Sequence, residues 1–351
     1  MTEKFKRALI LSGGGTRSAI YVGMFAALDE LGMAPEVLIA SCGGAFAATV
    51  INAFPDHLSR KDYLKSKEYF DFVSGTRLTN EKKLSRIGIL TLQKFLNKKN
   101  APYIEDIFSR YLVEMNQDLS KDFPSLKTDF SKEIPTVIIG SEILFDPNET
   151  GQKRNNRKLY QKLILTDPET AKKIIPAKII LDSDHFKNSA IAETTIIRTD
   201  FSMLESTRIS VSDMFYVAPF RSEGRYFAGG AVDLIPIELA KHLADKVFIE
   251  KKQVYNPVEE SFVRAVLGYS GNERLREIES QNPDYQIDTT RIKQEIDGYY
   301  IKKNINWKNF GIDLALPKTY GQFRENMERQ WQYGFDQTMK SLAIIPKDKN
   351  W

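Results

Sequence analysis

A sharp turn near the beginning of the chain has the residue types and spacing of a nucleophile site. An apolar run at 37–40 predicts a short buried strand, and 45–50 predicts a buried helix. Between them lie Ser41, Cys42 and two glycines. A strand that turns at once into a helix exposes the residue at the turn, where the usual pattern is Gly-x-Ser-x-Gly. Here the first glycine is Ala40 and the nucleophile position holds Cys42, so the sequence predicts a thiol at this turn.

A run of glycines before the first helix is a second group that could do chemistry. Gly13, Gly14 and Gly15 follow a short apolar strand, and Arg17 comes shortly after them. Successive backbone N–H groups at a helix N-terminus can bind an anion, either a phosphate or a developing oxyanion. The run has neither the Lys-Ser/Thr pair of a phosphate loop nor the spacing of a dinucleotide loop. We therefore expect an anion-binding loop, and we expect Gly43, next to the thiol, to contribute to it.

The charge state of the Cys42 thiol depends on two opposing effects. The N–H groups and the dipole at a helix N-terminus favour the thiolate and lower the pKa of a thiol there. Burial among apolar side chains disfavours the charged form and raises that pKa. Because an elbow exposes its side chain to the cleft, we expect the first effect to win. The pKa of Cys42 should then lie below that of a free cysteine.

The elements around these residues predict an α/β fold. A strand at 7–12, a helix at about 17–31 and the strand before Cys42 form a β-α-β unit, which favours a parallel sheet. Further buried strands are predicted at about 134–140, 177–181 and 247–249. Helices on both faces of such a sheet would give three layers, α/β/α.

The rest of the sequence is consistent with one domain spanning 1–351, with its core at about 6–250. The polar, lysine-rich stretch at about 59–131 predicts a helical insertion of surface helices and loops. Beyond the predicted strand at 247–249, which we expect to be the last, 251–351 predicts a polar and mainly helical extension. The apolar stripe on its final helix predicts core packing.

Composition narrows the classes of partner and the location. The chain has 351 residues, a net charge of +4 and charges of both signs interspersed. This weak positive charge, without a nucleic-acid motif, predicts no nucleic-acid partner. It is compatible with transient contact with an anionic membrane surface. A single cysteine cannot form an internal disulfide, and no apolar run approaches the roughly 18 residues of a spanning helix. We expect a cytoplasmic protein.

The glycine loop and the elbow together resemble the patatin-like phospholipase family of lipid acyl hydrolases. Segments similar to the family's motifs follow in order at Leu11–Ser18 with Gly23, Ala40–Ala45, Ile138–Glu142, Ile209–Phe220, Ala228–Pro236 and Tyr333-Gly334. The resemblance covers most of 6–250 and implies the patatin fold, a three-layer α/β/α arrangement with a central, mostly parallel sheet. It also implies a Ser-Asp dyad in which serine attacks an ester, aspartate is the base and the glycine loop holds the oxyanion. No cofactor and no metal are expected.

The sequence departs from the family pattern at both catalytic positions, because Cys42 stands in place of the serine and Ala228 in place of the aspartate. In one interpretation, Cys42 is the nucleophile of a lipid acyl hydrolase or acyltransferase acting on an ester or acyl thioester. Without a base to activate water, we expect weak or no ordinary phospholipase activity and favour transfer over hydrolysis. In the other, the protein is catalytically inactive and binds an acyl chain, a lipid or a partner.

Other acidic residues could supply the missing base. Asp233 lies in the same loop as Ala228 and is our candidate, with helix capping as its alternative role. Glu142 follows a strand directed at the same edge of the sheet, so a minor role beside the site is a further alternative. Asp182, Asp184 and His185 form a cluster without the spacing of a known metal site, and we expect a solvated loop there.

Overall fold

The computed structural model describes residues 3–13, 16–82, 101–126, 129–130, 133–175, 187–255, 257–306 and 311–343. Within them the helices are α1 Ser18–Glu30, α2 Gly43–Ala53, α3 His57–Leu64, α4 Lys67–Ser74, α5 Pro168–Ile174, α6 Met203–Ser210, α7 Ile237–Leu243, α8 Pro257–Leu267, α9 Gly271–Ser280, α10 Ile292–Glu295 and α11 Tyr320–Ala343. The strands are β1 Phe5–Leu11, β2 Val37–Ser41, β3 Arg77–Leu78, β4 Val113–Glu114, β5 Thr136–Ile143, β6 Tyr160–Leu165, β7 Ile191–Arg198, β8 Phe220–Ser222, β9 Arg225–Ala228, β10 Ala244–Lys251, β11 Tyr285–Asp288, β12 Lys303–Asn306 and β13 Gly311–Leu314.

The main sheet contains nine strands within the described ranges, seven of them in the order β11-β10-β1-β2-β5-β6-β7. The hairpin of β8 and β9 joins it through β9, which pairs with β5. All pairs from β11 to β5 are parallel, whereas β6 and β9 run antiparallel to β5. Buried clusters lie on both faces of the sheet, beneath flanking helices. The predicted α/β fold with a central, mostly parallel sheet is therefore confirmed.

The predicted β-α-β unit is confirmed as β1, α1 and β2. Strand β2 is buried throughout, as expected for a parallel strand whose sheet is covered on both faces. The register pairs Leu11 of β1 with Ala40 of β2, and β10 pairs in parallel with β1 on its other side. The carboxyl ends of these three strands consequently meet at one edge. The residues that follow them, Gly13, Cys42 and Lys252, come together there.

Helix α11 packs against α1 through two glycines. A Cβ atom on Gly23 would lie 2.1 Å from the carbonyl oxygen of Trp331, and one on Gly334 would lie 2.0 Å from that of Ile20. Only glycine allows the two helix backbones to approach so closely. Phe323 and other apolar positions of α11 are buried, which confirms the predicted core stripe.

The insertion contributes to the core and is more than a surface cover. Tyr69 of α4 stacks on Phe46 of α2 with 5.0 Å between ring centroids, and Phe123 approaches the same ring at 5.0 Å. Residues 83–100 of this region lie outside the described residues. No helix in the parts of the chain that the structure describes is both long enough and apolar enough to cross a bilayer.

The C-terminal region differs from its prediction, because β10 is not the last strand. Strand β11 pairs in parallel with β10 and extends the sheet, and β12 and β13 form a separate antiparallel pair. Only Ile287 of β11 is fully buried, so its four residues carry little of the apolar signal of a core strand. The predicted strand at 177–181 lies outside the described residues.

Candidate active site

The turn after β2 has the geometry of a nucleophile elbow. Cys42 has φ 49° and ψ −125°, a conformation that side-chain-bearing residues rarely adopt, and α2 begins at the next residue. A Cβ on Gly44 would lie 1.8 Å from the carbonyl oxygen of Leu11, so this position requires glycine. The thiol is half-buried. The strained turn thus presents Sγ at the edge of the sheet.

Hydrogen bonds from two other segments hold the elbow in place. The backbone N–H of Cys42 donates to Oγ of Ser210 at 2.8 Å, and that hydroxyl donates to the carbonyl of Ile139 at 2.6 Å. The hydroxyl of Ser41 donates to the carbonyl of Leu234 at 2.8 Å. The N–H of Gly43 points at the Cys42 sulfur as a hydrogen-bond donor. The end of α6 and the loop before α7 therefore position the thiol.

A carboxylate that the sequence analysis did not consider lies against the thiol. The Cys42 thiol donates a hydrogen bond to the Asp213 side chain, and the N–H of Ala231 donates to Asp213 Oδ1 at 3.2 Å. A Cβ on Gly229 would lie 2.2 Å from Oδ1 and 2.7 Å from the Asp213 nitrogen. Glycine at 229 thus makes room for Asp213, which takes up the space beside the sulfur.

The contact between Asp213 and Cys42 changes the expected ionisation of the thiol. Burial, followed by the charge and the hydrogen bond of Asp213, raises the pKa of Cys42 well above its ordinary value. The prediction of a lowered pKa is therefore wrong, because burial and the opposing carboxylate outweigh the Gly43 N–H and the charge of Lys252. Burial also raises the pKa of Asp213, although the thiol and the Ala231 N–H favour its charged form. The thiol thus faces a buried carboxyl group that opposes its ionisation.

Gly13 of the glycine loop lies next to the elbow. A Cβ on Gly13 would lie 3.0 Å from Cys42 Cβ and 3.5 Å from Sγ, so the Gly13 backbone lies against the thiol. Arg17 directly precedes the first residue of α1. Gly14 and Gly15 lie outside the described residues.

Asp233, the base candidate of the sequence analysis, lies in a buried ion cluster. Its carboxylate is bound by Lys162 and lies 3.5 Å from Arg274, and all three side chains are almost fully buried. Arg274 also binds Glu238 at 2.6 Å. The Asp233 oxygens are thus engaged by two cations.

The other sequence candidates have partners elsewhere or cannot be placed. Glu142 pairs with Arg225 of β9 at 3.3 Å. The side chain of Ala228 is fully buried in the apolar cluster that contains Ile139 and Val232. The cluster at 182–185 lies outside the described residues, and no group of three potential metal ligands occurs among the residues that are described.

Asp213 could have been found from the sequence by one signal. It lies within Ile209–Phe220, a segment already singled out for its resemblance, and it follows the end of α6 closely. Its approach to Cys42 depends on the fold, because β5, α6 and the turn at Gly229 bring together residues that are far apart along the chain.

Fold and site define an α/β protein with a nucleophile elbow, a glycine loop and a facing carboxylate. The profile of the family described as Patatin-like phospholipase matches residues 9–241. This match covers most of the chain, which belongs to that family. Comparison with curated proteins gave no match.

Solved structures similar to this chain include three proteins. VipD from Legionella pneumophila is 13% identical with a TM-score of 0.37, and the match covers 97% of this chain and 67% of VipD. Human GIVD cytosolic phospholipase A2 is 10% identical with a TM-score of 0.39, covering 97% and 59%. The type III effector protein ExoU is 12% identical with a TM-score of 0.33, covering 96% and 53%. The chain thus spans little more than half the length of the last two.

Proposed function

We propose that this protein is a thiol-dependent acyl hydrolase of lipid esters or thioesters, with Cys42 as nucleophile and Asp213 as base. Cys42 would take the place of the family's serine. Asp213 would take that of its aspartate, whose position in the sequence holds Ala228. The observation that carries the proposal is the hydrogen bond from the Cys42 thiol to the Asp213 carboxylate at a nucleophile elbow.

In the first half of the reaction, the Sγ–H proton passes to Asp213 as sulfur attacks the carbonyl carbon. The resulting oxyanion would be held by backbone N–H groups, with Gly43 as the donor already directed at the sulfur. Collapse breaks the bond to the alcohol or thiol leaving group, which takes the proton from Asp213. The products of this half are an acyl-thioester at Cys42 and the released alcohol or thiol.

In the second half, Asp213 takes a proton from water, and the water oxygen attacks the thioester carbonyl. The carbon–sulfur bond breaks, the acid leaves, and the Cys42 sulfur regains a proton from Asp213. A carboxylate next to the thiol therefore supports hydrolysis as well as transfer. The expectation of weak phospholipase activity follows from the lack of a base at Ala228, and Asp213 removes that reason.

Turnover of an ester distinguishes the proposed hydrolase from an inactive acyl-binding protein. We expect the wild type to hydrolyse a p-nitrophenyl ester of a medium-chain fatty acid and Cys42→Ala to be inactive. Glu142→Gln is the control, because the Glu142 carboxylate pairs with Arg225 and not with the thiol. This variant should behave like the wild type. No hydrolysis by the wild type would favour the inactive protein. Hydrolysis by Cys42→Ala at the wild-type rate would contradict Cys42 as the nucleophile.

A further inference from the structure

A buried polar cluster at the end of β10 lies beside the glycine loop. The carboxylate of Glu250 accepts hydrogen bonds from Tyr21 at 2.7 Å, from Thr289 at 2.6 Å and from Ser12 at 3.3 Å. The ammonium of Lys252 lies 3.3 Å from the same carboxylate. Burial opposes ionisation of Glu250, but the charge of Lys252 and these hydrogen bonds lower the pKa of Glu250 below its ordinary value. The carboxylate is thus a fixed anchor for the lysine.

Lys252 connects this anchor to the loop that faces the thiol. Its ammonium donates a hydrogen bond to the carbonyl oxygen of Gly13, and the Tyr21 hydroxyl lies 3.5 Å from the same oxygen. The Gly13 backbone in turn lies against Cys42, as the close approach of a Cβ placed there demonstrates. One lysine therefore links a buried carboxylate to a peptide that lies against Cys42.

The charge of Lys252 also acts on the thiol itself. Lys252 lowers the pKa of Cys42, opposing burial and Asp213. Glu250 of β10 and Arg17, which directly precedes α1, also act electrostatically on Lys252. As the Sγ–H proton passes to Asp213 and sulfur attacks, negative charge develops on the sulfur and the carbonyl oxygen. A partly buried cation stabilises this charge more strongly than it would in water.

We propose that Lys252 is a positioning residue for acyl transfer at Cys42. It holds the Gly13 carbonyl away from the reacting carbonyl, and its positive charge offsets the negative charge that develops beside the elbow. This role deepens the hydrolase proposed above and rests on it, but its electrostatic part can be measured without turnover. The chain has a single cysteine, so any thiol alkylation reports on Cys42 alone.

The test is the rate of alkylation by iodoacetamide as a function of pH. In Lys252→Met the thiol loses a stabilising cation, and we expect alkylation near neutral pH to be about three- to tenfold slower. Lys252→Arg retains the charge and should restore most of the rate. Lys251→Met is the matched control, because it makes the same change in net charge at the neighbouring exposed lysine and should leave the rate unchanged.

Equal alkylation of Lys252→Met and the wild type across the pH range, with both proteins folded, would overturn the proposal. If Lys252→Met does not fold, because Glu250 is then a buried charge without its cation, a second pair answers the question. Glu250→Gln is compared with Glu250→Gln/Lys252→Met, and the double variant should be alkylated more slowly. Equal rates in this pair would also overturn the proposal, whereas failure of the hydrolase proposal would appear as absent ester turnover in the wild type.

Discussion

Asp213 raises the cost of ionising the Cys42 thiol, and this coupling sets the chemistry of the site. Burial and the carboxylate raise the pKa of the thiol, which favours the protonated sulfur. In the proposed hydrolase, Asp213 would remove that proton during attack. In the proposed hydrolase, the cysteine at the elbow would therefore depend on a general base and would not need a preformed thiolate.

Replacing Asp213 with Asn should move reactivity and catalysis in opposite directions. Removal of the carboxylate lowers the pKa of the Cys42 thiol, because the charge that raised it is gone, so alkylation at neutral pH should be faster than in the wild type. Ester hydrolysis should fall by about 10²–10⁴, the usual contribution of a general base. Slower alkylation together with unchanged hydrolysis would contradict the assignment of Asp213.

Replacing Cys42 with Ser should preserve measurable ester hydrolysis without any second change. Asp213 would lie within reach of a hydroxyl at the same turn, as it lies within reach of the thiol. The measurement is the hydrolysis of the p-nitrophenyl ester by Cys42→Ser and by Cys42→Ser/Asp213→Asn. An inactive single variant, or a double variant as active as the single, would count against a base at this position.

Among the elements, helix α11 is fixed to α1 by the contacts of two glycine backbones. Gly334→Ala should lower the free energy of unfolding by about 3 kcal/mol or more, because the new Cβ would overlap the Ile20 carbonyl and both helices would have to separate. Thermal and urea unfolding measure this loss.

Gly321→Ala in the same helix is the matched control. A Cβ there would meet nothing closer than 3.9 Å, and alanine in an open helical position stabilises a protein slightly. If both substitutions change the stability equally, the close packing of α1 and α11 is not the cause.

The elements that place the elbow are easier to predict from the sequence than the elements that complete the site. Strand β2 and helix α1 have strong apolar patterns, and the glycines around Cys42 indicate a turn by their spacing alone. Asp213 lacks such a local signal, because its role arises only when α6 packs over β5 beside the elbow. Strand β11 is short and largely polar, so it gains its place from pairing with β10 rather than from its own pattern.

Across the whole molecule, buried ion pairs connect the C-terminal region to the sheet. Arg274 of α9 contacts Asp233 at 3.5 Å and Glu238 of α7 at 2.6 Å, and Asp233 also binds Lys162 of β6. Loss of a partner in such a cluster leaves a buried charge uncompensated. The extension after β10 is thereby held to the loop that carries Gly229.

The ion pair between Glu238 and Arg274 predicts a specific loss of stability in acid. Burial opposes ionisation, but the hydrogen bond and the charge of Arg274 outweigh it and lower the pKa of Glu238 to about 2. A folded-state pKa below the unfolded value contributes stability above the unfolded pKa, and this stability is lost as the pH falls towards the folded value. The melting temperature should therefore decline between roughly pH 4.5 and pH 2.

The variant Glu238→Gln isolates this contribution. It should be less stable than the wild type at pH 7 and should show a shallower decline of melting temperature over the same acid range. If the melting temperatures of the two proteins fall in parallel with pH, the loss of stability in acid comes from other carboxyl groups.

Intact mass after mixing with an activated acyl ester tests the central claim most directly. The wild type should gain one acyl group, which should map to Cys42 after digestion and should be lost with time as Asp213 activates water. Asp213→Asn should acylate slowly and retain any adduct for longer, and Cys42→Ala should gain no mass. An unmodified wild type across neutral and alkaline pH, or an adduct that forms and decays equally in Asp213→Asn, would contradict the Cys42–Asp213 hydrolase.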